Sequence, residues 1–206
     1  MKRTALVILA LACFGCSKNS GGGGGSTNPP SAYYFKADVN GQSWAANVYF
    51  AEYLTYPLGV VLNYNGVNYM YVFSFYAANG DTSQSMDLLF PMNVPLNTPV
   101  AFDSANNKNI AYAVEDPLGS GKFDGWNAAQ PTGGSGTFTI TKLDQGNKII
   151  EGTFSGTLGS LNGKAAAKVT SGTFSSPYVL EQSQLPPNVK VSITQRLLTL
   201  HAINER

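Results

Sequence analysis

The sequence has few of the residues on which most enzymes build their chemistry. Its 206 residues include one histidine, His201, and two cysteines, Cys13 and Cys16. A Ser-His-Asp or Cys-His catalytic site would have to be built on that one histidine, close to the C-terminus. The sequence also lacks the motifs of zinc proteases, nucleotide-binding loops and dinucleotide-binding folds. We therefore predict a protein that is not an enzyme and that binds no cofactor and no metal.

Charged residues are scarce as well. Asp, Glu, Lys and Arg make up 12% of the chain, against about a quarter in a typical domain. Two of the 13 basic residues belong to a predicted leader, so 11 remain against 12 acidic residues and the formal net charge falls from +1 to −1. Such a domain has no basic surface that would attract the phosphates of nucleic acid. We therefore expect no nucleic-acid partner.

The chain begins like a secreted protein. Two basic residues precede an apolar run over Thr4–Phe14, and the small residue Gly15 precedes Cys16. The run is too short for a transmembrane helix, which needs about 20 apolar residues. A cysteine directly after the cleavage point is typical of bacterial lipoproteins, so we predict a signal peptide over 1–15 and a lipidated Cys16. Cleavage before Cys13, or a plain signal peptide with two incidental cysteines, are the alternatives.

The rest of the chain divides into three segments. Residues 16–32 are the lipidated cysteine and a flexible Gly/Ser/Pro tether, and 33–178 are an all-β domain. Residues 179–206 are a C-terminal extension that we expect to pack on the sheet. Because two or more acyl chains give a stable membrane anchor, we expect a protein anchored to the outer membrane of the cell envelope. Whether its domain faces the periplasm or the cell surface stays open.

The domain shows the alternation and the turn signals of β-strands, without a long stretch of helical period. Asn40-Gly41 and Asn65-Gly66 each separate two alternating runs, which predicts hairpins, because a type I′ turn needs positive φ at both central residues. The C-terminal half predicts a three-stranded meander. The predicted strands are Phe35–Val39, Ser43–Val48, Gly59–Tyr64, Val67–Tyr76, Met86–Phe90, Pro99–Phe102, Ile110–Val114, Gly136–Leu143, Ile149–Leu158 and Lys164–Phe174.

Three of these strands carry the same Gly-Thr-Phe triplet, beginning at Gly136, Gly152 and Gly172. The unequal spacing of the triplets argues against a solenoid or propeller repeat. We expect each Phe to point into the core and each Thr to face water. The glycine would kink the strand or admit a neighbouring ring.

Four stretches of the chain resemble a known family: Phe35–Ala46, Gly134–Asp144, Ile149–Gly156 and Val169–Phe174. The resemblance is to the uncharacterised lipocalin-like lipoproteins of Gram-negative bacteria, a domain of unknown function, and it extends over about Tyr33–Tyr178. It implies an antiparallel, lipocalin-like barrel or sandwich, here built from hairpins and the C-terminal meander. It implies no activity and no site residues, because none are established for the family.

Aromatic residues in a Gly- and Pro-rich stretch are the best candidates for recognition. The stretch runs from Pro117 to Gly136 and reads as a long loop, which is typical of a functional or mobile segment. Its tryptophan could stack on a sugar while the neighbouring polar groups bind hydroxyls, or it could fold back over a barrel end as a plug. The candidate ligand-binding residues are Phe123, Asp124, Trp126, Asn127 and, from the aromatic-rich first half, Trp44.

The run Tyr69–Tyr76 is apolar on both faces, with Tyr69, Tyr71 and Phe73 on one face and Met70 and Val72 on the other. Such a strand is either central and covered on both sides, or one wall of a ligand cavity. Both interpretations remain open at this stage.

These observations predict a lipid-anchored envelope protein that binds a small molecule, lipid or glycan without catalysis. A scaffold or accessory subunit of an envelope protein assembly is one alternative. A small hydrolase is another, because glycosidases need only two carboxylates across a cleft. The acidic residues of predicted loops and strand ends are Asp81, Asp87, Asp103, Glu115, Asp116 and Asp124.

Overall fold

The computed structural model describes residues 33–46, 57–64, 66–78, 82–103, 106–115, 123–128 and 133–180. The predicted signal peptide, Cys16, the tether, the C-terminal extension beyond Leu180 and His201 lie outside these residues. Asn65, Asp81 and Asp116 lie outside them as well.

Within the described residues all regular elements are strands apart from short turns, and there are eleven strands. They are β1 Tyr34–Val39, β2 Gln42–Ala45, β3 Leu58–Tyr64, β4 Val67–Ala78, β5 Thr82–Pro91, β6 Val100–Ala101, β7 Asn109–Glu115, β8 Phe123–Asn127, β9 Ser135–Asp144, β10 Ile149–Ser160 and β11 Ala167–Val179.

The strands form one continuous sheet in the order β2-β1-β11-β3-β4-β5-β7-β8-β10-β9-β6, and β11 also pairs with β10. This extra pairing closes the sheet into a ring. The pairs between strands are antiparallel except for β11 with β3, where Tyr178 lies opposite Gly59. The predicted fold class, an antiparallel all-β barrel or sandwich, is confirmed.

Strands β10 and β11 join the two halves of the sheet. Most of β10 and β11 pair with each other and with β9 and β1. At its C-terminal end β11 passes to β3, whereas the last residues of β10, Gly159 and Ser160, pair with β8. Side chains from both halves therefore face a single interior.

The two predicted Asn-Gly hairpins join β1 to β2 and β3 to β4. Asn40 and Gly41 have φ of 52° and 79°, the positive values that a type I′ turn requires. Gly66 also has φ of 79°, and Tyr64 pairs with Val67 across the second turn. Asn65 itself lies outside the described residues.

Large aromatic side chains fill the interior. The Phe35 ring lies 5.1 Å from Phe154 and 5.7 Å from Phe174, measured between centroids. Phe90 of β5 lies 5.1 Å from Phe138 of β9, so the two halves of the sheet pack against each other in the interior. The phenylalanines of all three Gly-Thr-Phe triplets are buried, as the sequence predicts.

The β10 and β11 triplets interlock across the strand pair. Gly152 lies opposite Phe174, and Gly172 lies opposite Phe154. A Cβ atom on Gly152 would lie 2.8 Å from a Phe174 ring carbon, and one on Gly172 would overlap the Phe154 ring. Each of these two glycines thus makes room for the phenylalanine ring of the other triplet. This confirms the prediction that the glycine admits a neighbouring ring.

Strand β4 is buried on both faces. Met70 and Val72 belong to the main interior cluster, and the side chains of Tyr71 and Phe73 on the opposite face are only 0% and 2% exposed. Of the two interpretations that the sequence left open, the described part of β4 fits a central strand covered on both sides.

Candidate functional site

The predicted loop around Trp126 contains a strand instead. Residues 123–127 form β8, which pairs with β7 along its length and with the end of β10. Gly125 lets β8 approach the β10–β11 loop, because a Cβ atom there would lie 2.8 Å from Leu161 Cδ1. The prediction of a long continuous loop from Pro117 to Gly136 was therefore wrong in this part.

Successive side chains of β8 point to opposite faces of the sheet, which separates the candidate residues. Asp124 and Trp126 share one face of the strand, whereas Asn127 belongs to the other, where its side chain is 1% exposed. The side chain of Phe123 lies outside the described part of the structure. Trp44 is 4% exposed and contacts Phe35 edge to face in the main core, at 6.0 Å between centroids. The five candidates therefore do not form one cluster.

Trp126 is half-buried and fixed by its neighbours. Its ring lies 5.4 Å from the Tyr112 ring, and its indole Nε1 donates a 2.8 Å hydrogen bond to the carbonyl oxygen of Ala165. The Leu161 amide donates a 2.8 Å bond to the Gly125 carbonyl oxygen. Two hydrogen bonds thus join strand β8 to the β10–β11 loop, residues 161–166. One comes from the Trp126 indole, and the other is accepted by the Gly125 carbonyl oxygen.

Asp124 is bound to the same loop. Asn162 donates a 2.6 Å hydrogen bond from Nδ2 to the carboxylate, and the Lys164 ammonium lies 3.4 Å from it. Beneath Trp126, the Tyr112 hydroxyl donates a 2.9 Å bond to Gln84, and burial raises the pKa of Tyr112 to about 12. Asp124 therefore helps to hold the loop in place, whereas the Tyr112 hydroxyl bonds to β5.

Of the carboxylates considered for hydrolysis, Asp87, Asp103 and Asp124 have described side chains, and they belong to different parts of the sheet. Asp103 pairs with Lys108 at 3.6 Å, and Asp87 is 7% exposed on β5. The described ranges contain no group of three or more His, Cys, Asp or Glu side chains arranged to hold a metal ion. In the same ranges we find no helix of the length and apolarity needed to cross a membrane.

The described interior encloses a small void. The void among the side chains of β4, β5, β9 and β10 measures about 10 Å³, which is at the lower limit for one water molecule. Its lining residues are Met70, Phe90, Met92, Val94, Leu96, Ile140, Leu143 and Ile150. A void of this size has no room for a ligand larger than water.

A groove of about 420 Å³ lies at the opposite end of β10 from Trp126. It runs between the β3–β4 hairpin and the β9–β10 turn, and its volume falls in the range of about 300–1,000 Å³ that is usual for ligand pockets. We call it the Lys148 groove. Its lining residues are Val61, Asn63, Asn68, Met92, Gln145, Lys148, Tyr178 and Leu180.

The Lys148 groove combines one cation, three amides and apolar side chains. The Lys148 ammonium lies 5.9 Å from the centroid of the Tyr178 ring. Asn63 Nδ2 donates a 2.7 Å hydrogen bond to Asn68 Oδ1, a bond that uses neither the Asn63 side-chain oxygen nor the two N–H donors of Asn68 Nδ2. Burial, and then the negative charge of Asp144, raise the pKa of Tyr178, so the phenol stays neutral at physiological pH.

Asp144 is held by the β9–β10 turn. It accepts a 2.9 Å bond from the Asn147 amide and a 2.8 Å bond from Asn147 Nδ2. These two bonds are the main reason why the pKa of Asp144 lies below its usual value. The carboxylate therefore stays ionised at neutral pH, with both its oxygens already bound to the turn.

Sequence reasoning did not find the Lys148 groove. It treated 144–147 as a connection in the meander, and the groove residues come from several separate segments of the chain. The local signal that could have pointed here is a lysine placed directly after a turn of Asp, Gln, Gly and Asn.

Comparison of the chain with protein-family models, curated proteins and solved structures gives no match. The resemblance to lipocalin-like lipoproteins therefore stays a prediction from the sequence.

Proposed function

We propose that this protein is a lipid-anchored envelope protein that binds a small molecule, lipid or glycan in the Lys148 groove without transforming it. The observation that supports this most is the groove itself, a concavity of ligand size that brings polar and apolar side chains together. The anchor rests on the leader sequence and on Cys16. The candidate role of Trp126 in recognition remains a prediction, and its contacts favour the plug interpretation.

One observation favours the scaffold alternative. Tyr64 and Val67, which pair at the tip of the β3–β4 hairpin, are 53% and 40% exposed, and Leu180 is 48% exposed. An exposed apolar group of this kind suits contact with another protein of the envelope. A ligand that occupies the neighbouring groove would cover part of the same surface.

The groove can be tested by filling it. Asn68→Trp places a large ring on an exposed groove residue, and Thr157→Trp places the same ring on an exposed position near the far end of β10. We expect native mass spectrometry of the wild-type protein, purified from its own envelope, to detect a co-purified ligand. Asn68→Trp should lose that ligand and Thr157→Trp should keep it.

Two results would argue against this function. Retention of the ligand by Asn68→Trp would place the binding site elsewhere. A wild-type protein that carries only a stoichiometric protein partner, lost when Tyr64 is replaced by serine, would support the scaffold instead.

The anchor is tested separately. Cys16→Ser should abolish incorporation of radiolabelled palmitate and release the protein from the membrane fraction, because no second acylation site is predicted. Cys13→Ser is the matched control and should be labelled like the wild type. Labelling of Cys16→Ser but not of Cys13→Ser would identify Cys13 as the lipidated residue.

A further inference from the structure

We propose that the Lys148 groove selects small amphiphilic anions. The Lys148 ammonium would bind a carboxylate or phosphate head, and Met92 and Leu180 would contact the apolar body of the ligand. This inference rests on the proposed function and specifies the chemical class of its ligand.

Lys148 differs from the other described lysines in its burial and pairing. Lys108, Lys142 and Lys164 each have a carboxylate oxygen 3.4–3.6 Å from the ammonium, whereas Lys36, Lys148 and Lys168 have none within 4.0 Å in this part of the chain. Of these three, Lys36 and Lys168 are exposed, but Lys148 is half-buried and its ammonium lies near the Tyr178 ring. A partly desolvated cation beside a groove is a binding partner for an anion.

The backbone of Lys148 is unusual for a lysine. Its φ is +56°, a left-handed conformation that glycine or asparagine adopts with little strain and that lysine rarely adopts. The conformation is fixed, because the Lys148 carbonyl oxygen accepts a 2.8 Å hydrogen bond from the Tyr178 amide. The turn alone would favour a different residue here, so the ammonium is the feature that explains lysine.

The negative charge near the groove belongs to Asp144. Asp144 lies close enough to raise the pKa of Tyr178. However, the Asn147 amide and side chain already bind both oxygens of the Asp144 carboxylate. The turn thus holds the Asp144 carboxylate, and the ammonium at position 148 keeps its hydrogen-bonding capacity for a ligand.

The apolar half of the groove fits the rest of such a ligand. Val61 and Met92 lie toward the interior, and Leu180 is 48% exposed at the rim. An alkyl chain laid against these side chains would remove apolar surface from water on both partners. Asn63 and Asn68 at the rim could bind a polar linkage next to the head group.

The experiment compares matched eight-carbon probes. Full-length protein in lipid nanodiscs is titrated with octanoate, octyl phosphate and neutral octanamide, and binding to empty nanodiscs is subtracted. A hydrogen bond to a charged group is typically strong enough to change affinity about tenfold. We expect octanoate or octyl phosphate to bind about tenfold more tightly than octanamide, and the stronger of the two identifies the head group.

Variants assign the selectivity to Lys148. Lys148→Asn should reduce binding of the anions about tenfold and leave octanamide binding unchanged. Its melting temperature should be equal to or higher than that of the wild type, because asparagine tolerates positive φ. Lys168→Gln removes a positive charge from an exposed position of β11 and should change neither probe binding nor the melting temperature.

Several outcomes would overturn this inference. Equal affinity for octanamide and the anions, or unchanged anion binding by Lys148→Asn, would mean that the lysine does not select the ligand. A lower melting temperature with equal loss of all probes would make Lys148 a structural residue. If no probe binds, amphiphilic anions are excluded as the ligand class of the groove. The proposed function is tested separately, by whether a ligand co-purifies with the wild type and is lost from Asn68→Trp.

Discussion

Replacing Gly172 with alanine is expected to destabilise the domain by about 3 kcal/mol, at the upper end of the usual effect of overpacking a core. The new methyl group would overlap the Phe154 ring and lie 2.5 Å from the Phe154 carbonyl oxygen. The ring cannot move aside easily, because it packs on Phe35 at 5.1 Å and on Phe174 at 6.4 Å. The strain must therefore be relieved by separating β10 from β11, which join the two halves of the fold.

Urea denaturation of the wild type and the variant measures this effect. Gly146→Ala is the matched control, because its methyl group would meet only Asp144 Oδ1, at an ordinary distance of 3.5 Å, and it should change the unfolding free energy by less than about 0.5 kcal/mol. Phe154→Leu should recover part of the loss in a Gly172→Ala background, since the two positions are coupled. Similar stability of Gly172→Ala and Gly146→Ala would contradict the close packing described for the triplets.

The Gly-Thr-Phe triplets show what a single sequence can and cannot predict here. Alternation alone indicates that Phe154 and Phe174 point inward and that the glycines could admit a ring. It does not indicate that each glycine receives the ring of the other triplet. That depends on the register of β10 with β11, which shifts at a bulge between Phe154 and Gly156. Register describes how the residues of two strands pair, so it cannot be predicted from a short stretch of one strand.

Strand β8 shows the opposite case, in which local sequence misled. Asp124, Gly125 and Asn127 are residue types that favour turns and are depleted in strands, so the segment reads as a loop. Yet β7 and the end of β10 both present a strand edge at this position, and β8 pairs with both. Strand propensity depends strongly on such context, and here the tertiary pairing determines the structure.

The Lys148 groove could not be predicted for a third reason. Its walls come from β3, β4, the segment after β5, the β9–β10 turn and the end of β11. These segments meet because β11 passes from β10 to β3 at Tyr178, where the two strands pair in parallel. Neither hydrophobic period nor turn chemistry specifies that crossing, so a groove built on it has no signature in the sequence.

Trp126→Ala is expected to destabilise the domain by about 3 kcal/mol, as the truncation of a large packed aromatic side chain typically does. The variant loses the packing of the indole on Tyr112 and the hydrogen bond from Nε1 to Ala165. Of its contacts with β8, the β10–β11 loop would then keep those to Gly125 and Asp124. Thermal and urea denaturation both measure the loss.

Trp126→Phe separates the two contributions of the indole. It keeps an aromatic ring against Tyr112 and removes the hydrogen bond to Ala165, so it should cost about 1 kcal/mol, the usual net worth of one such bond. Under the plug interpretation neither variant should weaken binding of the co-purified ligand, because Trp126 lies at the far end of β10 from the Lys148 groove.

The opposite pattern would change the functional conclusion. If Trp126→Ala keeps the stability of the wild type but loses the ligand, and if ligand addition shifts tryptophan fluorescence in the wild type, the indole is a recognition surface. The binding site would then lie beside Asp124 and the β10–β11 loop, and a ligand would have to displace the contact between Trp126 and Ala165. Trp44 provides the internal check, because its ring lies in the main core and its emission should not respond to a ligand at either end of β10.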